Sequence, residues 1–315
     1  MSQEAARIVL DDEVLAELHE ISSLGSDEVL DDLATARARE VLRDVEVLVT
    51  GWGCPELSAE VLAAAPRLRA VVHTAGSVRG HITSECWDRG IAVSSAAAAN
   101  AVPVAEYTLA MILLTGKDVL GRTPGEGPAA IGNFGRTVGI LSASLIGRRV
   151  IELLRPHDFD VLLSDPYVTA AEAEALGARS VELDELFARS DVVSVHTPLL
   201  PTTRGLVGRA LIESMRPAAV LINTARGAIL DQDALLDAAS AGRVRAVLDV
   251  TEPEVLAVDH PLRHCPNVLI TPHLAGSRGN ECRRLARHAV AELRRWAAGS
   301  GFAHPVHREQ LERIA

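Results

Sequence analysis

Cysteine is scarce in this chain. Cys54, Cys86, Cys265 and Cys282 are spread over 315 residues with no CxxC pair. That spacing argues against a zinc ribbon or a disulfide framework and predicts a reducing, cytoplasmic setting with no metal site. No uninterrupted apolar run reaches about 18 residues, so no membrane span is expected. Met1-Ser2-Gln3-Glu4 has no basic stretch followed by an apolar one, so no secretory leader is expected. Positive charge is also short: 31 basic residues stand against 42 acidic ones, a net charge of −11. Such a surface disfavours a nucleic-acid backbone or an anionic membrane as partner. Lysine is nearly missing, with Lys117 alone against thirty arginines. Internal repeats are absent, and the only biased tract is the alanine cluster Ala96–Ala99.

What is present reads as a globular chain. Hydrophobic residues make up 48% and charged residues 23%, too apolar for disorder. The length suits two domains of roughly 100–200 residues. Short apolar runs predict strands at Val45–Val49, Ala70–His73, Val138–Leu141, Val161–Leu163, Val192–Val195, Ala219–Asn223, Ala246–Asp249 and Val268–Ile270. Helical patterns separate them at Leu145–Leu154, Ala170–Leu176, Asp184–Ala188 and Asp231–Ala241. Continuous apolar strands with crossover helices predict an α/β, doubly wound parallel fold. Ala101–Thr115 is apolar all round and predicts a helix covered on every side, with Asn100 as its N-cap. Gly116–Gly135, rich in Gly and Pro, reads as a loop, and Glu281–Trp296 as a last helix. No further regulatory module is expected after it.

The turn between Arg136–Leu141 and the helix from Leu145 sits where a Rossmann fold offers helix N–H groups to a pyrophosphate. In register, G-x-G-x-x-G becomes Ser142-Ala143-Ser144-Leu145-Ile146-Gly147. Only the third glycine survives, the one that permits close packing. The next strand ends at Asp165, before Pro166. A carboxylate there accepts from a ribose 2′-OH and favours NAD over NADP. Taken alone, this turn fits either a dinucleotide site or an ordinary strand-to-helix turn.

Three polar segments follow three later strands: Asn223-Thr224-Ala225-Arg226-Gly227, Leu248-Asp249-Val250-Thr251-Glu252-Pro253-Glu254 and Thr271-Pro272-His273-Leu274-Ala275-Gly276. Open α/β sheets bind ligands at these strand ends. An arginine, a carboxylate and a histidine together suit hydride transfer to a 2-keto acid. Arg226 can clamp a carboxylate in bidentate fashion. His273 can give or take the hydroxyl proton. An acid, Glu254 or Glu252, can hold the other ring nitrogen.

With these segments the sequence resembles the D-isomer-specific 2-hydroxyacid dehydrogenases over about Val45 to Gly276. The marks are N-T-A-R-G, D-V-x-x-E and T-P-H-x-A-G, supported by Val195-His196-Thr197-Pro198-Leu199 and by N-A-V-P-V-A-E from Asn100. The resemblance implies Arg226, Glu254 and His273 as the catalytic trio, Glu254 standing five residues past Asp249. It implies NAD contacts from Ser144, Leu145, Ile146, Gly147, Asp165, Pro166, His196, Thr197, Pro198, Thr202, Thr224, Ala225, Asp249 and Ala275. It implies substrate contacts from Arg226, from the loop Ala75, Gly76 and Ser77, and from Trp52 and Gly53. The chain departs from the family at Ser142 and Ser144, at Arg79 where an aspartate is common, and in a shorter Gly116–Gly135.

The resulting expectation is two Rossmann-like or flavodoxin-like domains with a cleft between them. Residues 1–99 with 280–315 would bind substrate, and 100–279 would bind NAD. The activity would interconvert a small 2-keto acid and its D-2-hydroxy acid, in a homodimer. The altered glycine turn leaves a second reading, a non-catalytic dinucleotide-sensing or partner-binding regulator.

Overall fold

The structure is a computed structural model, and it describes residues 1–26, 28–119 and 132–312. Most of Gly116–Gly135, expected as a loop, lies outside the described residues. The chain divides into two compact units. A discontinuous unit holds Met1–Asn100 and Ser277–Ala315, and a central unit holds Ala101–Gly276.

The discontinuous unit carries β1 (Val47–Thr50), β2 (Ala70–His73) and β3 (Ala92–Ser95), which pair in parallel. The central unit carries β4 (Arg136–Leu141), β5 (Phe159–Ser164), β6 (Arg179–Ser180), β7 (Val192–Val195), β8 (Ala219–Asn223), β9 (Val244–Leu248) and β10 (Val268–Ile270). A last strand, β11 (Pro305–Val306), returns to the first sheet and pairs antiparallel with β3. The first sheet is therefore not wholly parallel.

Among the described residues of the central unit, seven strands are parallel, in the order β10-β9-β8-β7-β4-β5-β6. The strand order reverses at β4, so the switch point lies between the ends of β4 and β7. Successive side chains point to opposite faces, and both faces are apolar. Val193, Val195, Ala219 and Leu221 pack on one side with Phe187, Ile212 and Leu235. Val138, Ile140, Val220 and Ile222 pack on the other with Val150, Ile151, Leu154, Ala105 and Ile112. This is the doubly wound arrangement that the apolar runs predict.

The long helix covers Ala97–Gly116, starting within the alanine cluster rather than at Ala101. Asn100 is thus inside the helix and is not its N-cap. Its Oδ1 instead accepts the N–H of Ser277 at 3.0 Å, joining the residues where the chain leaves and re-enters the discontinuous unit. The helix is long and apolar enough to cross a membrane by length and composition alone. Its Ala105 and Ile112 belong to the core of the central unit. Glu106 and Ala110 are exposed, so the helix is not covered on every side.

Candidate active site

The first part of the site is the turn after β4. The helix Leu145–Leu154 starts there with Ser144 as N-cap, its hydroxyl accepting the N–H of Gly147 at 3.3 Å. Gly147 has no room for a side chain, because a Cβ would fall on the carbonyl oxygen of Ser142. Ser142 stands in the left-handed region at φ +80°. Glycine reaches that conformation cheaply, whereas another L-residue needs outside support. The support comes from Asp165. Its Oδ2 accepts the Ser142 hydroxyl at 3.1 Å and the Ala143 N–H at 2.7 Å. Its Oδ1 accepts the Tyr167 N–H at 2.8 Å. The expected ribose acceptor is therefore also the clamp of the altered turn.

The neighbouring loop follows β7. His196 is only 3% exposed, with Nε2 at 2.9 Å from the Ser194 hydroxyl. Burial pushes its pKa down to about 3, so the ring is neutral. The imidazole lies in the core, and its Cβ sits beside Gly147. Thr197 is buried, Pro198 and Ala225 are half-buried, and Pro166 and Thr202 are exposed. Thr203 holds the loop, its hydroxyl donating to the Pro198 carbonyl at 2.6 Å and accepting the Leu200 N–H at 2.8 Å.

The second part of the site is built from loops after β8, β9 and β10. Asn223, fully buried at the end of β8, folds the N-T-A-R-G turn. Its Nδ2 donates to the Arg226 carbonyl at 2.9 Å, and its Oδ1 accepts the Ala225 N–H at 3.0 Å. Gly227 touches the next loop so closely that a Cβ would overlap the backbone of Thr251 and Glu252. The loops of Arg226 and of the two glutamates are thus in backbone contact. Arg226 is half-buried, and its guanidinium donates to the Ala225 carbonyl at 2.6 Å.

The two candidate acids separate here. The Glu252 carboxylate lies 4.0 Å from the Arg204 guanidinium. Glu254 Oε1 lies 2.5 Å from Nδ1 of His273. Thr251 shapes this turn by donating to the carbonyls of Pro253 and Glu254.

His273 itself is held at φ +49°, and Asp249 is the reason. That carboxylate is 2% exposed. Its Oδ1 accepts the Thr271 hydroxyl at 2.6 Å and the Leu274 N–H at 2.8 Å, and its Oδ2 accepts the Ala275 N–H at 2.9 Å. The His273 N–H donates to the Asp249 carbonyl at 3.0 Å. Asp249, read from sequence as a cofactor contact, therefore spends its carboxylate on the loop that carries His273. The Thr271 proton goes to Asp249, so Tyr107 must be the donor in its 2.8 Å bond to the Thr271 hydroxyl. Burial raises the Tyr107 pKa, and the Asp249 charge adds to this against the Thr271 bond, which keeps the phenol protonated. Thr224 and Thr108 meet at 3.4 Å beside this chain of bonds.

Asn223, Tyr107, Thr251 and Thr271 were not among the expected site residues. Three of them are polar residues at the ends of apolar strands, which is a usable signal. Tyr107 has none beyond being polar in an apolar helix.

Comparison with known proteins decides the family. Residues 125–275 match the NAD-binding domain of the D-isomer specific 2-hydroxyacid dehydrogenases. Glyoxylate reductase of Aeropyrum pernix is 32% identical over 273 residues, which cover 81% of this chain and 81% of that protein. The chain belongs to the D-isomer-specific 2-hydroxyacid dehydrogenase family. D-3-phosphoglycerate dehydrogenase of Mycobacterium tuberculosis is 35% identical over 257 residues, 78% of this chain and 48% of that protein. The chain thus spans about half the length of this larger relative. Among solved structures, the TT0316 protein from Thermus thermophilus superposes with a TM-score of 0.75 at 30% identity, covering 94% of this chain and 96% of that one.

The central unit is this family's NAD-binding domain, with NAD as its cofactor. The residues present fit that group. A ten-residue helix begins at the carboxyl end of β4, beside the switch point. Its first two N–H groups, of Leu145 and Ile146, precede the first bond within the helix, which is where a pyrophosphate binds. Gly147 adds no side chain against the Ser142 carbonyl.

Apart from Arg226, the expected substrate residues lie in the discontinuous unit. Ala75 is buried, with its carbonyl accepting the Ala96 N–H at 3.0 Å. Gly76 and Ser77 are half-buried, and Ser77 Oγ accepts the Arg79 N–H at 3.4 Å. Trp52 and Gly53 are exposed. Behind this loop, Thr50 Oγ1 lies 2.8 Å from His73 Nδ1 and 3.3 Å from His81 Nε2. Burial pushes His73 to about 3 and His81 to about 4.

Proposed function

We propose that the protein interconverts a 2-keto acid and its D-2-hydroxy acid with NAD. The observation that carries this reading is the 2.5 Å Glu254–His273 pair, in the strand-end loops next to the Arg226 turn. NAD supplies the hydride acceptor or donor when bound. In reduction His273 gives a proton from Nε2 to the keto oxygen, and in oxidation it takes that proton back. Glu254 accepts from Nδ1, which fixes the orientation of the ring. Arg226 holds the substrate carboxylate as a forked donor. In the discontinuous unit, the backbone of Ala75–Ser77 with Trp52 and Gly53 is assigned to the substrate. The finer reading takes small 2-keto acids, a homodimer and a cytoplasmic setting. The glyoxylate reductase likeness over 81% of both chains supports the small substrate.

The test follows NADH absorbance with glyoxylate, pyruvate, hydroxypyruvate and a bulky 2-keto acid in turn. Turnover with at least one of them is expected, and Arg226→Ala should abolish it. One observation favours a second reading, a dinucleotide-binding regulator: the Ser144 hydroxyl already occupies the Gly147 N–H at the helix start. NADH binding with no turnover on any of these acids would establish that reading instead.

A further inference from the structure

The C-terminal part of the discontinuous unit carries a cluster that the dehydrogenase chemistry does not use. The helix Cys282–Ala297 presents His288 and Glu292, four residues apart and hence on one face. His304, just before β11, comes to the same place. One ligand-capable atom from each residue lies within 4.8 Å of the other two. The rings of His288 and His304 are 4.8 Å apart between centroids.

Three features make this a built site rather than a chance meeting. Glu292 is a carboxylate at only 2% exposure. Its Oε1 accepts the Ala303 N–H and its Oε2 the His304 N–H, both at 3.2 Å, so the carboxylate itself draws His304 in. Each oxygen keeps a second lone pair. His288 Nε2 lies 3.1 Å from the Ser95 carbonyl, which can only accept, so Nε2 carries the proton and Nδ1 the lone pair. Metal-binding histidines are commonly fixed by such a carbonyl.

We infer that His288, Glu292 and His304 bind a divalent transition metal ion, with zinc as the natural probe. Two imidazoles and a carboxylate are a sound zinc set, and a fourth position stays open to water. Ligands around tetrahedral zinc sit about 3.3 Å apart, so the cluster must tighten. Exposed His304 can make that move by side-chain rotation. The ion would neutralise the buried Glu292 and tie β11 to the helix. Cysteine spacing misses such a site, because its signature is H-x3-E followed by a distant histidine.

The test uses the full, untagged chain, dialysed against a chelator and titrated with zinc chloride in a calorimeter. Wild type should take up one more equivalent than His304→Ala, or bind that equivalent more than about tenfold more tightly. Zinc should also raise the melting temperature of wild type but not of His304→Ala. His288→Ala should behave as His304→Ala does. Equal uptake by wild type and both variants would overturn the inference, as would no zinc binding by wild type.

Discussion

Ser142 and His273 stand in the same left-handed backbone region, and a neighbouring carboxylate holds each of them there. Asp165 takes one hydroxyl and two backbone N–H groups around Ser142. Asp249 takes one hydroxyl and two backbone N–H groups around His273. The two clamps differ in depth. Asp249 is buried and Asp165 is only half-buried. Water can replace a lost partner at the first turn but not at the second, so the His273 loop depends more heavily on its acid. The turn after β4 thus keeps its shape with serine at positions 142 and 144. The His273 loop has no such tolerance, since unsatisfied buried donors cost roughly 1–3 kcal/mol each.

Predictions that probe this contrast run from large to small. Acid gives the widest effect and acts outside both loops. His73 and His81 are held near pKa 3 and 4, and His196 near 3, against about 6.5 when unfolded. The folded values are lowered, so stability should fall as pH drops below about 6.5 toward those values. All three tryptophans, Trp52, Trp87 and Trp296, lie in the discontinuous unit. Their fluorescence should therefore track His73 and His81, and His81→Asn should flatten its pH dependence between about 6.5 and 4.

Asp249→Ala comes next. It should destabilise the central unit by roughly 3 kcal/mol or more, read by circular dichroism in urea. Asp165→Ala should cost only about 1 kcal/mol, because its partners can turn to water. Similar losses for the two would break the comparison. Tyr107→Phe removes one donor two bonds away from Asp249 and should cost about 1 kcal/mol. Ser142→Gly should change stability by less than about 1 kcal/mol, since relief of the backbone offsets the lost bond to Asp165. A large loss there would mean that the hydroxyl, and not the carboxylate–backbone bond, sets the turn.

Much of this was legible in the sequence. Strands buried on both faces are continuous apolar runs, so Ala70–His73, Val192–Val195, Ala219–Asn223 and Val268–Ile270 were placed to the residue. Ala92–Ser95 was missed because half of it is serine, and β6 and β11 because two-residue edges carry no pattern. The helix start at Ala97 was missed because Asn100 makes a distant contact with Ser277 that no local rule anticipates. At the site, the motifs name Glu254 and His273, whose side chains lie 2.5 Å apart. The direction of a carboxylate was not legible. Asp165 and Asp249 both sit at strand ends, where ligand and loop compete for the same oxygens, and only the fold shows how those oxygens are used.

Under the proposed function, one loop serves the dinucleotide and the other serves proton transfer. That division is tested most directly by measuring the NADH dissociation constant and the saturated rate side by side in Asp165→Ala and Glu254→Gln. Asp165→Ala should weaken NADH binding by about tenfold, as expected for one lost interaction of about 1.4 kcal/mol, and leave the saturated rate nearly intact. Glu254→Gln should lower the saturated rate by roughly a hundredfold and leave NADH binding unchanged. If Glu254→Gln turns over as fast as wild type, or if Asp165→Ala binds NADH as tightly, the division is contradicted.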